Sequence, residues 1–328
     1  TDNDSSININ EKISVAVIGA GNYAARVFVP SLSKNKVNLK LIISRKGLDS
    51  AILANKFNFK QSGTNHKDIW NDKTINTVFI LSRHNSHAEY VINALNSGKN
   101  VFVEKPLCIS ENQLDLIINA YKNSRRRDGN GPLLMVGFNR RFSSFTQKIK
   151  RELETIRAPK AFTYTCNAGF IDKFNWNNDI EIGGGRLLGE ACHFVDLIMY
   201  LSGSKIISID IVKAKDQKIS PDIFSIILKF ENGSIGNVNY FANGNKRYPK
   251  EKLEIFTSGR IYQINNFCNL KTWGTSKLKN IRRLNQDKGQ QACIYEFINA
   301  IRNSTQSPIS FEEICDLHKF LFVANKKA

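Results

Sequence analysis

The stretch Ile13-Ser-Val-Ala-Val-Ile-Gly-Ala-Gly-Asn-Tyr-Ala24 decides the fold of this chain. Its apolar run predicts a buried strand, and the glycines that follow it predict a tight turn into a helix. Gly19 permits the turn, Gly21 lets a pyrophosphate approach the backbone, and Ala24 lets the helix pack against the strand. The start of that helix offers free N–H groups to the anion. The loop therefore predicts a dinucleotide site formed by Gly19, Gly21, Asn22 and Tyr23.

Length and composition indicate a globular protein that is long enough for two domains. The chain has 328 residues, of which 41% are hydrophobic, and a mean hydropathy of −0.31, which is typical of a protein that folds in water. No apolar run approaches the roughly 18 residues of a membrane span. The polar start of the chain also lacks the basic-then-apolar order of a signal peptide. We therefore expect no membrane partner.

Charge and cysteine usage narrow the classes of function. The net charge is +18 at pH 7, but the basic residues are spread along the whole chain, with no zinc-finger spacing and no basic region followed by heptads. This pattern predicts a solvated basic surface rather than a nucleic-acid partner. The six cysteines are scattered and form no C-x-x-C pair. They predict mostly buried free thiols in a reducing cytoplasm, and no metal site.

The residues that follow the predicted second strand, Leu39 to Ile43, indicate whether NAD or NADP is preferred. A Rossmann domain that prefers NAD usually carries an acidic residue here, about 20 residues after the glycines, to bind the ribose 2′-hydroxyl. This chain instead has Ser44, Arg45 and Lys46. A hydroxyl and a guanidinium suit a 2′-phosphate, so we expect NADP to be preferred over NAD. The alternative is that Arg45 only stacks beside the adenine of NAD or points into solvent.

The order of predicted elements divides the chain into two domains. Strands and helices alternate over residues 1–139, which predicts a doubly wound parallel sheet and hence a dinucleotide-binding Rossmann domain. Over residues 140–328, strand-like runs follow one another without helices between them. This second texture predicts an α+β domain for substrate binding and oligomerisation, with an open-faced, largely antiparallel sheet. The predicted class is therefore α/β for the first domain and α+β for the second.

Several motifs carry a resemblance to one family. They are Gly19-Ala-Gly21, His87-Ala88, Gly98-Lys-Asn-Val-Phe-Val-Glu-Lys-Pro106, Gly137-Phe-Asn-Arg-Arg-Phe142 and Gly183-Gly-Gly-Arg-Leu-Leu-Gly-Glu-Ala-Cys-His-Phe-Val-Asp196. With them, nearly the whole chain resembles the Gfo/Idh/MocA oxidoreductases, the glucose–fructose oxidoreductase and inositol dehydrogenase family. The resemblance implies hydride exchange between a nicotinamide and a carbon of a sugar or nucleotide sugar.

Two of these regions resemble a narrower branch of that family. They are Ser82-Arg-His-Asn-Ser-His-Ala88 and the run from Trp176 to His193. This branch often forms the C-terminal half of bi-domain oxidoreductases in surface-polysaccharide gene clusters, behind an alcohol-dehydrogenase-like half. The resemblance implies a fused or partner half of that kind and a role in polysaccharide biosynthesis. The missing initiator Met and the Asn-rich leader suit either such a fragment or a trimmed chain.

The resemblance assigns the reacting residues. It implies that Lys105 lies beside the nicotinamide and polarises the substrate oxygen, because a Lys in a desolvated pocket can help to move a proton. We expect a cis peptide bond at Pro106 to aim that side chain. His193 matches the catalytic His of the family, and an imidazole that titrates near neutrality can act as acid or base.

One position departs from the family pattern. Many relatives carry Asp four residues before the catalytic His, whereas this chain has Gly189 there and Glu190 one residue later. Residues at i and i+3 share a helix face, so we expect Glu190 to orient His193 or to bind a substrate hydroxyl. Asp196 either supports His193 or the substrate, or makes a buried polar contact between helices.

The remaining predicted contacts follow the ends of strands. Arg140 and Arg186 are expected to hold a phosphate or carboxylate of the substrate, and Trp176 either stacks on a sugar face or belongs to the core. Asn139 and Arg141 follow the last Rossmann strand, where ligand-binding loops belong. The resemblance implies that Asn85 and His87 lie near the nicotinamide ribose. Leu81, Ser82 and Glu104 are also expected to face the cofactor.

Three functions remain open at this stage. The first is an NAD(P)-dependent dehydrogenase or reductase acting on a CH–OH group of a sugar or nucleotide sugar. The second is an epimerase or lyase that uses tightly bound NAD transiently, which the missing acid at Gly189 keeps in view. The third is a cofactor-binding sensor without catalysis, although Lys105 and His193 argue against it. By analogy with relatives, we also expect a homodimer or homotetramer.

Overall fold

The structure, a computed structural model, describes residues 13–125, 129–171, 175–214 and 222–327. Within these ranges the chain forms two compact units. The first comprises the described residues of 1–108, 112–137 and 290–314, and the second those of 109–111, 138–289 and 315–328. None of the described helices is both long enough and apolar enough to cross a membrane.

The first unit is built on a parallel sheet. Its strands are β1 (Ser14–Ile18), β2 (Asn38–Ile43), β3 (Gln61–Gly63), β4 (Thr77–Ile80), β5 (Asn100–Val103) and β6 (Leu134–Val136). The described strands lie in the order β3-β2-β1-β4-β5-β6, and every pair of neighbours is parallel. β1 and β4 are buried along their whole length, as expected for strands covered on both faces. The predicted doubly wound parallel sheet is confirmed.

Helices connect and cover these strands. A π-helical turn, Ala24–Phe28, runs into α1 (Val29–Leu32), and α2 (Leu48–Phe57), α3 (Lys67–Asn71), α4 (His87–Asn96), α5 (Glu111–Asn123) and α9 (Gln290–Arg302) follow. Phe297 of α9 packs against Phe79 of β4 and Phe102 of β5, with ring centroids 5.9 and 5.6 Å apart. The predicted domains, 1–139 and 140–328, are consecutive, whereas residues 290–314 return to the first unit. A strictly sequential division does not detect that return.

The strand order reverses between β1 and β4. In open α/β sheets, ligands bind at such a switch point, beyond the carboxyl ends of the strands. The main chain there is fixed by two hydrogen bonds: the N–H of Gly19 donates to Ile43 at 2.8 Å, and that of Leu81 donates to Ile18 at 2.7 Å. The glycine loop therefore lies at the position that the fold favours for a ligand.

The second unit is built on a larger, mixed sheet. Its strands are β7 (Ala161–Asn167), β8 (Ile206–Lys213), β9 (Ile223–Phe230), β10 (Ile235–Phe241), β11 (Glu251–Thr257), β12 (Arg260–Asn265), β13 (Asn269–Trp273) and β14 (Ile281–Arg282). The described strands lie in the order β14-β13-β12-β11-β7-β10-β9-β8. Of their pairings, β7 with β10 is parallel and the others are antiparallel. The largely antiparallel sheet is confirmed.

Side chains alternate across this sheet. On β7, Phe162, Tyr164 and Cys166 are buried, while the residues between them are partly exposed, so one face is packed and the other is open. Four strands have no counterpart in the sequence-based prediction, namely β3, β12, β13 and β14. β3 and β14 have only three and two residues, too few for a period-2 pattern. In β12 and β13, polar residues interrupt the apolar positions, which weakens the strand signal.

The second unit carries α6 (Ser144–Glu154), α7 (Ile180–Gly183), α8 (Cys192–Ser202) and the larger part of α10 (Phe311–Lys327). The segment that precedes α8 is not a regular α-helix, although its sequence predicts one continuous helix from Arg186 to Leu201. Leu187–Ala191 instead forms a π-helical turn before α8 begins. Such turns insert one extra residue into a helix and are frequent at functional sites. The extra residue changes which side chains share a face immediately before His193.

A buried carboxylate joins three elements of the second unit. Glu251, at the start of β11, is 1% exposed. Arg140 donates to both of its oxygens, at 2.7 and 2.9 Å, and Lys288 donates to Oε1 at 2.7 Å. The hydroxyl of Tyr164 on β7 completes the set. Burial alone would raise the pKa of Glu251, but the two cations hold that pKa well below its ordinary range.

A second buried ion pair lies next to this one in sequence. Arg141 binds Asp196 of α8 through Nε, at 2.8 and 3.0 Å, and through one terminal nitrogen at 2.7 Å. Both side chains are almost fully buried. The consecutive arginines thus bind different elements, Arg140 the sheet and Arg141 the helix. Together these pairs fix the segment that leads into α6.

We predict that Glu251→Gln destabilises the protein strongly. Removing one partner of a buried ion pair leaves uncompensated charge and costs about 3–5 kcal/mol, and here two cations lose their carboxylate. Glu254→Gln on the same strand is the matched control, because Glu254 pairs with Lys252 near the surface, at 2.9 Å. That exposed pair contributes at most about 1 kcal/mol. Urea unfolding measures both variants, and equal losses would contradict the prediction.

The same comparison has a pH dependence of known sign. The pKa of Glu251 is lower in the folded protein than the value of about 4.3 for Glu in an unfolded chain. Its contribution is therefore complete above that unfolded value and is lost as the pH falls towards the folded value. The difference in free energy of unfolding between the wild type and Glu251→Gln should stay constant above about pH 5 and shrink below about pH 4.

Candidate active site

The glycine loop after β1 contains two glycines with different roles. Gly19 has a φ of +107°, and a Cβ there would lie 2.7 Å from the carbonyl carbon and oxygen of Leu81, so only glycine fits. A Cβ on Gly21 would meet nothing within 4 Å. The space over Gly21 is open, as close approach of a pyrophosphate requires. The neighbouring predicted contacts, Asn22 and Tyr23, are both exposed.

The turn after β2 exposes its basic residues. The N–H of Gly47 donates to the carbonyl of Ser44 at 3.2 Å, and the Ser44 hydroxyl oxygen accepts the N–H of Ser50 at 3.2 Å. Arg45 and Lys46 lie in this turn and are exposed. Their side chains are available at the carboxyl end of β2, the end of the strand that the ribose approaches in this fold.

The loop after β4 contains four of the predicted cofactor contacts. Leu81 and Ser82 are half-buried, and Asn85 is exposed. His87 differs, because it is fully buried and both of its ring nitrogens lie on main-chain carbonyls, Nδ1 on Pro106 at 2.7 Å and Nε2 on Ser82 at 3.1 Å. Burial lowers the pKa of His87, although the two carbonyls oppose this effect.

The segment after β5 holds the predicted reacting lysine. The Lys105–Pro106 peptide bond is cis, as predicted. Lys105 and the residue before it, Glu104, are both half-buried. The Glu104 carboxylate lies over Gly137, where a Cβ would come within 2.9 Å of Oε1. Gly137 at the end of β6 is therefore needed to leave room for that carboxylate.

The predicted substrate residues of the second unit form a bonded cluster. Tyr240 of β10 donates its hydroxyl hydrogen to Glu190 Oε2 at 2.7 Å, and Arg186 Nε donates to the Tyr240 oxygen at 2.5 Å. Arg186 also lies 3.3 Å from the same Glu190 oxygen. The Arg186 side chain is 2% exposed and that of Glu190 is 25% exposed. Glu190 is therefore the accessible end of a set whose other members are buried.

His193 is the second residue of α8 and is 7% exposed. Its ring packs edge-on against Phe138, with centroids 6.0 Å apart. Asp196, one turn further on, binds Arg141, which is the buried contact that the sequence left as an alternative. Trp176 is half-buried.

Arg140 and Asn139 are engaged inside the protein. The Arg140 guanidinium holds Glu251, and the Asn139 amide donates to the Lys288 carbonyl at 2.6 Å. Tyr240 and Glu251 were the residues that sequence reasoning missed. Each lies on a strand and meets its partner through tertiary packing, at a separation of 50 residues for Tyr240 and 111 for Glu251. No local pattern signals such a contact.

Two further observations concern metal and thiol chemistry. Within the part of the chain that the structure describes, no three or more His, Cys, Asp or Glu side chains gather as they would around a metal ion. The six cysteines are all described and all carry free thiols. Five of them are buried.

Comparison with known proteins decides the family. A family model described as an oxidoreductase family with an NAD-binding Rossmann fold matches residues 13–127, and a GFO/IDH/MocA C-terminal domain model matches residues 155–262. Together they cover more than half of the chain.

The chain belongs to the Gfo/Idh/MocA family of oxidoreductases.

Relatives in this family resemble the chain over most of its length. Oxidoreductase P35 of Formosa agariphila is 26% identical over 93% of this chain and 96% of its own length. Myo-inositol 2-dehydrogenase of Thermotoga maritima is 28% identical over 59% of this chain and 58% of its own. Among solved structures, levoglucosan dehydrogenase in complex with NADH and levoglucosan superimposes with a TM-score of 0.82 and 21% identity, covering 96% of this chain and 97% of that one. The structural likeness confirms the fold.

Because this family binds NAD through the Rossmann unit, the two loop glycines yield a contrasting pair of predictions. Gly19→Ala forces a side chain into the main chain of Leu81 at positive φ, and we expect it to cost about 2 kcal/mol or more. Gly21→Ala should change stability by less than about 0.5 kcal/mol but weaken dinucleotide binding at least tenfold, about 1.4 kcal/mol. Thermal unfolding and fluorescence titration separate the two effects. A Gly21→Ala variant with unchanged affinity would refute the assignment.

Proposed function

We propose that this protein transfers a hydride between a nicotinamide cofactor and a secondary alcohol or ketone carbon of a sugar or nucleotide sugar. The observation that carries the proposal is the position of Lys105, directly after β5 and two strands from the glycine loop. β5 is the neighbour of β4, which borders the switch point where ligands of this fold bind. The names of two relatives, a myo-inositol dehydrogenase and a levoglucosan dehydrogenase, support a polyol or sugar as substrate.

In the proposed reaction, Lys105, His193 and the residues that face the cofactor have separate roles. When bound, the nicotinamide supplies or accepts the hydride. Lys105 donates a hydrogen bond to the reacting oxygen and so stabilises the charge that develops on it. His193 exchanges the proton of that oxygen, because an imidazole can act as acid or base near neutral pH. Leu81, Ser82, Asn85 and Glu104 line the cofactor side of the Rossmann unit.

Glu190 takes the part that an Asp at position 189 plays in many relatives. Its carboxylate accepts the Tyr240 hydroxyl and lies beside the Arg186 guanidinium. These two contacts fix its orientation, while its partial exposure lets it accept a hydrogen bond from a substrate hydroxyl. This changes the role expected for Arg186, which we now assign to holding Glu190 rather than a substrate anion. Arg140 is likewise assigned to Glu251.

We propose NADP as the preferred cofactor, with NAD as the alternative. Arg45 and Lys46 are exposed in the turn after β2, and neither Ser44 nor Gly47 beside them can accept the ribose 2′-hydroxyl as a carboxylate does. A guanidinium can bind a 2′-phosphate with two parallel hydrogen bonds.

Arg45→Ala tests that preference. We expect it to weaken NADPH binding about tenfold or more, a loss of about 1.4 kcal/mol, and to leave NADH binding within a factor of two. The reason is that only NADPH carries the phosphate. Fluorescence quenching of the tryptophans follows both titrations. Tighter binding of NADH than of NADPH by the wild type would overturn the preference.

Lys105→Met tests catalysis itself. The methionine keeps an unbranched apolar stem but cannot donate to the substrate oxygen, so kcat should fall about 100-fold or more while nucleotide affinity changes little. Lys73→Met, on an exposed turn, is the control and should leave kcat unchanged. The assay follows nicotinamide absorbance with a panel of polyols and sugars. An unchanged kcat in Lys105→Met would remove Lys105 from the catalytic residues. A wild type that binds the nucleotide but turns over no substrate of the panel would favour a sensor.

The glycine at position 189 supports a second candidate, an epimerase or lyase that uses tightly bound NAD transiently. Mass spectrometry of the denatured protein distinguishes it. A dinucleotide that co-purifies in a one-to-one ratio with the protein and does not exchange with added NAD favours the transient-redox reaction. A cofactor that exchanges with added NAD favours the dehydrogenase.

We also propose a homodimer or homotetramer and, by resemblance, work beside an alcohol-dehydrogenase-like half in cytoplasmic polysaccharide biosynthesis. The open face and edge of the second sheet support an oligomer, because Ile227, Ile235 and Phe256 are each more than 40% exposed. Apolar side chains of this size on one sheet favour burial against another surface.

A further inference from the structure

His87 links two loops that follow neighbouring strands. Its Nδ1 lies 2.7 Å from the Pro106 carbonyl, after β5, and its Nε2 lies 3.1 Å from the Ser82 carbonyl, after β4. The side chain is fully buried. Ser82 is further tied to Ser86, whose hydroxyl lies 2.7 Å from its own. The imidazole thus fills the space between the two loops and contacts both main chains.

This geometry leaves His87 no nitrogen for a ligand. A neutral imidazole carries one N–H, and the shorter distance assigns that hydrogen to Nδ1, which donates to Pro106. Only a protonated ring donates at both positions. In either state both nitrogens face main-chain oxygens, so the ring cannot also bind the ribose of a cofactor. The expected direct contact of His87 is replaced by an indirect one.

We propose that His87 is a positioning residue, a buried clamp that fixes the Ser82 loop and the Lys105–Pro106 turn in one geometry. The proposal rests on the proposed function, because Ser82 is assigned to the cofactor and Lys105 to the reacting oxygen. Hydride transfer needs the cofactor and the substrate oxygen to be held at a fixed relative position. A misplacement of about 1 Å can lower the rate about 100-fold. The clamp acts on both partners through one ring.

Three substitutions separate the two contacts. Asn places its amide nitrogen near the position of Nδ1 and can restore donation to Pro106 alone. Gln reaches the position of Nε2 and can donate to Ser82 alone. Phe fills the space and restores neither. His66→Phe is the matched control, because His66 lies at the start of α3, where its Nδ1 accepts from Trp70 at 3.2 Å.

We expect His87→Phe to lower kcat about 30-fold or more, His87→Asn to recover most of that loss, and His87→Gln to recover less. A merely structural role would lower the melting temperature and leave kcat per folded molecule unchanged in all three. The control should keep its kcat. Equal kcat for the Phe variant and the wild type, or no recovery by Asn relative to Phe, would overturn the proposal.

Hydrogen–deuterium exchange tests the clamp independently of turnover. In the His87→Phe variant, peptides covering residues 81–86 and 103–108 should exchange faster than in the wild type, and Asn should restore protection to the second peptide. Unchanged exchange in both peptides would overturn the clamp. If the wild type oxidises no substrate but the exchange differs as expected, the proposed function has failed and the clamp has not.

Discussion

The second unit depends on a carboxylate that cannot be left alone in the interior. An unpaired Glu251 would be expelled or protonated, because removing a charge from water costs several kcal/mol. Arg140, Lys288 and Tyr164 instead converge on it from separate parts of the chain. Satisfying one buried charge therefore fixes three parts of the chain. They are the segment that begins at Phe138, the first residue of β11 and the loop around Lys288 that precedes α9. Next to it, the Arg141–Asp196 pair fixes α8, the helix that carries His193.

The residues proposed to act in the first unit and those proposed to act in the second are positioned in different ways. In the Rossmann unit, each contact follows the end of a strand, so the spacing of the chain itself delivers Gly19, Leu81 and Lys105 to neighbouring positions. In the second unit, Glu190 depends on a tyrosine from β10 and on a π-helical turn that sequence patterns do not signal. The residues of the first unit can therefore be recognised from local motifs, while the position of Glu190 in the second unit depends on a long-range contact.

This contrast explains how much the sequence could predict. The parallel sheet followed from the alternation of apolar runs with helical segments. The glycine loop followed from the first of these runs, which ends at Gly19, because local sterics dictate that turn. The roles of Arg140, Arg186 and His87 did not, because a charged or titratable side chain shows in sequence only that it needs a partner. The partner of Arg140 is the distant carboxylate of Glu251, and that of His87 is a pair of main-chain carbonyls. Arg186 binds Glu190 one helical turn away and the distant hydroxyl of Tyr240. The departure at Gly189 was visible, but its compensation through Tyr240 was not.

The return of α9 to the first unit bears on how such a chain can be recombined during evolution. Phe297 covers Phe79 and Phe102 of the Rossmann sheet, so a gene fragment that stops at the end of β6 would leave an apolar face uncovered. The Rossmann unit is therefore inherited with a segment encoded far downstream. The second unit is divided in the same way, because residues 315–328 belong with residues 138–289. An exchange of that unit between relatives therefore has to carry both segments, with three cut points rather than one.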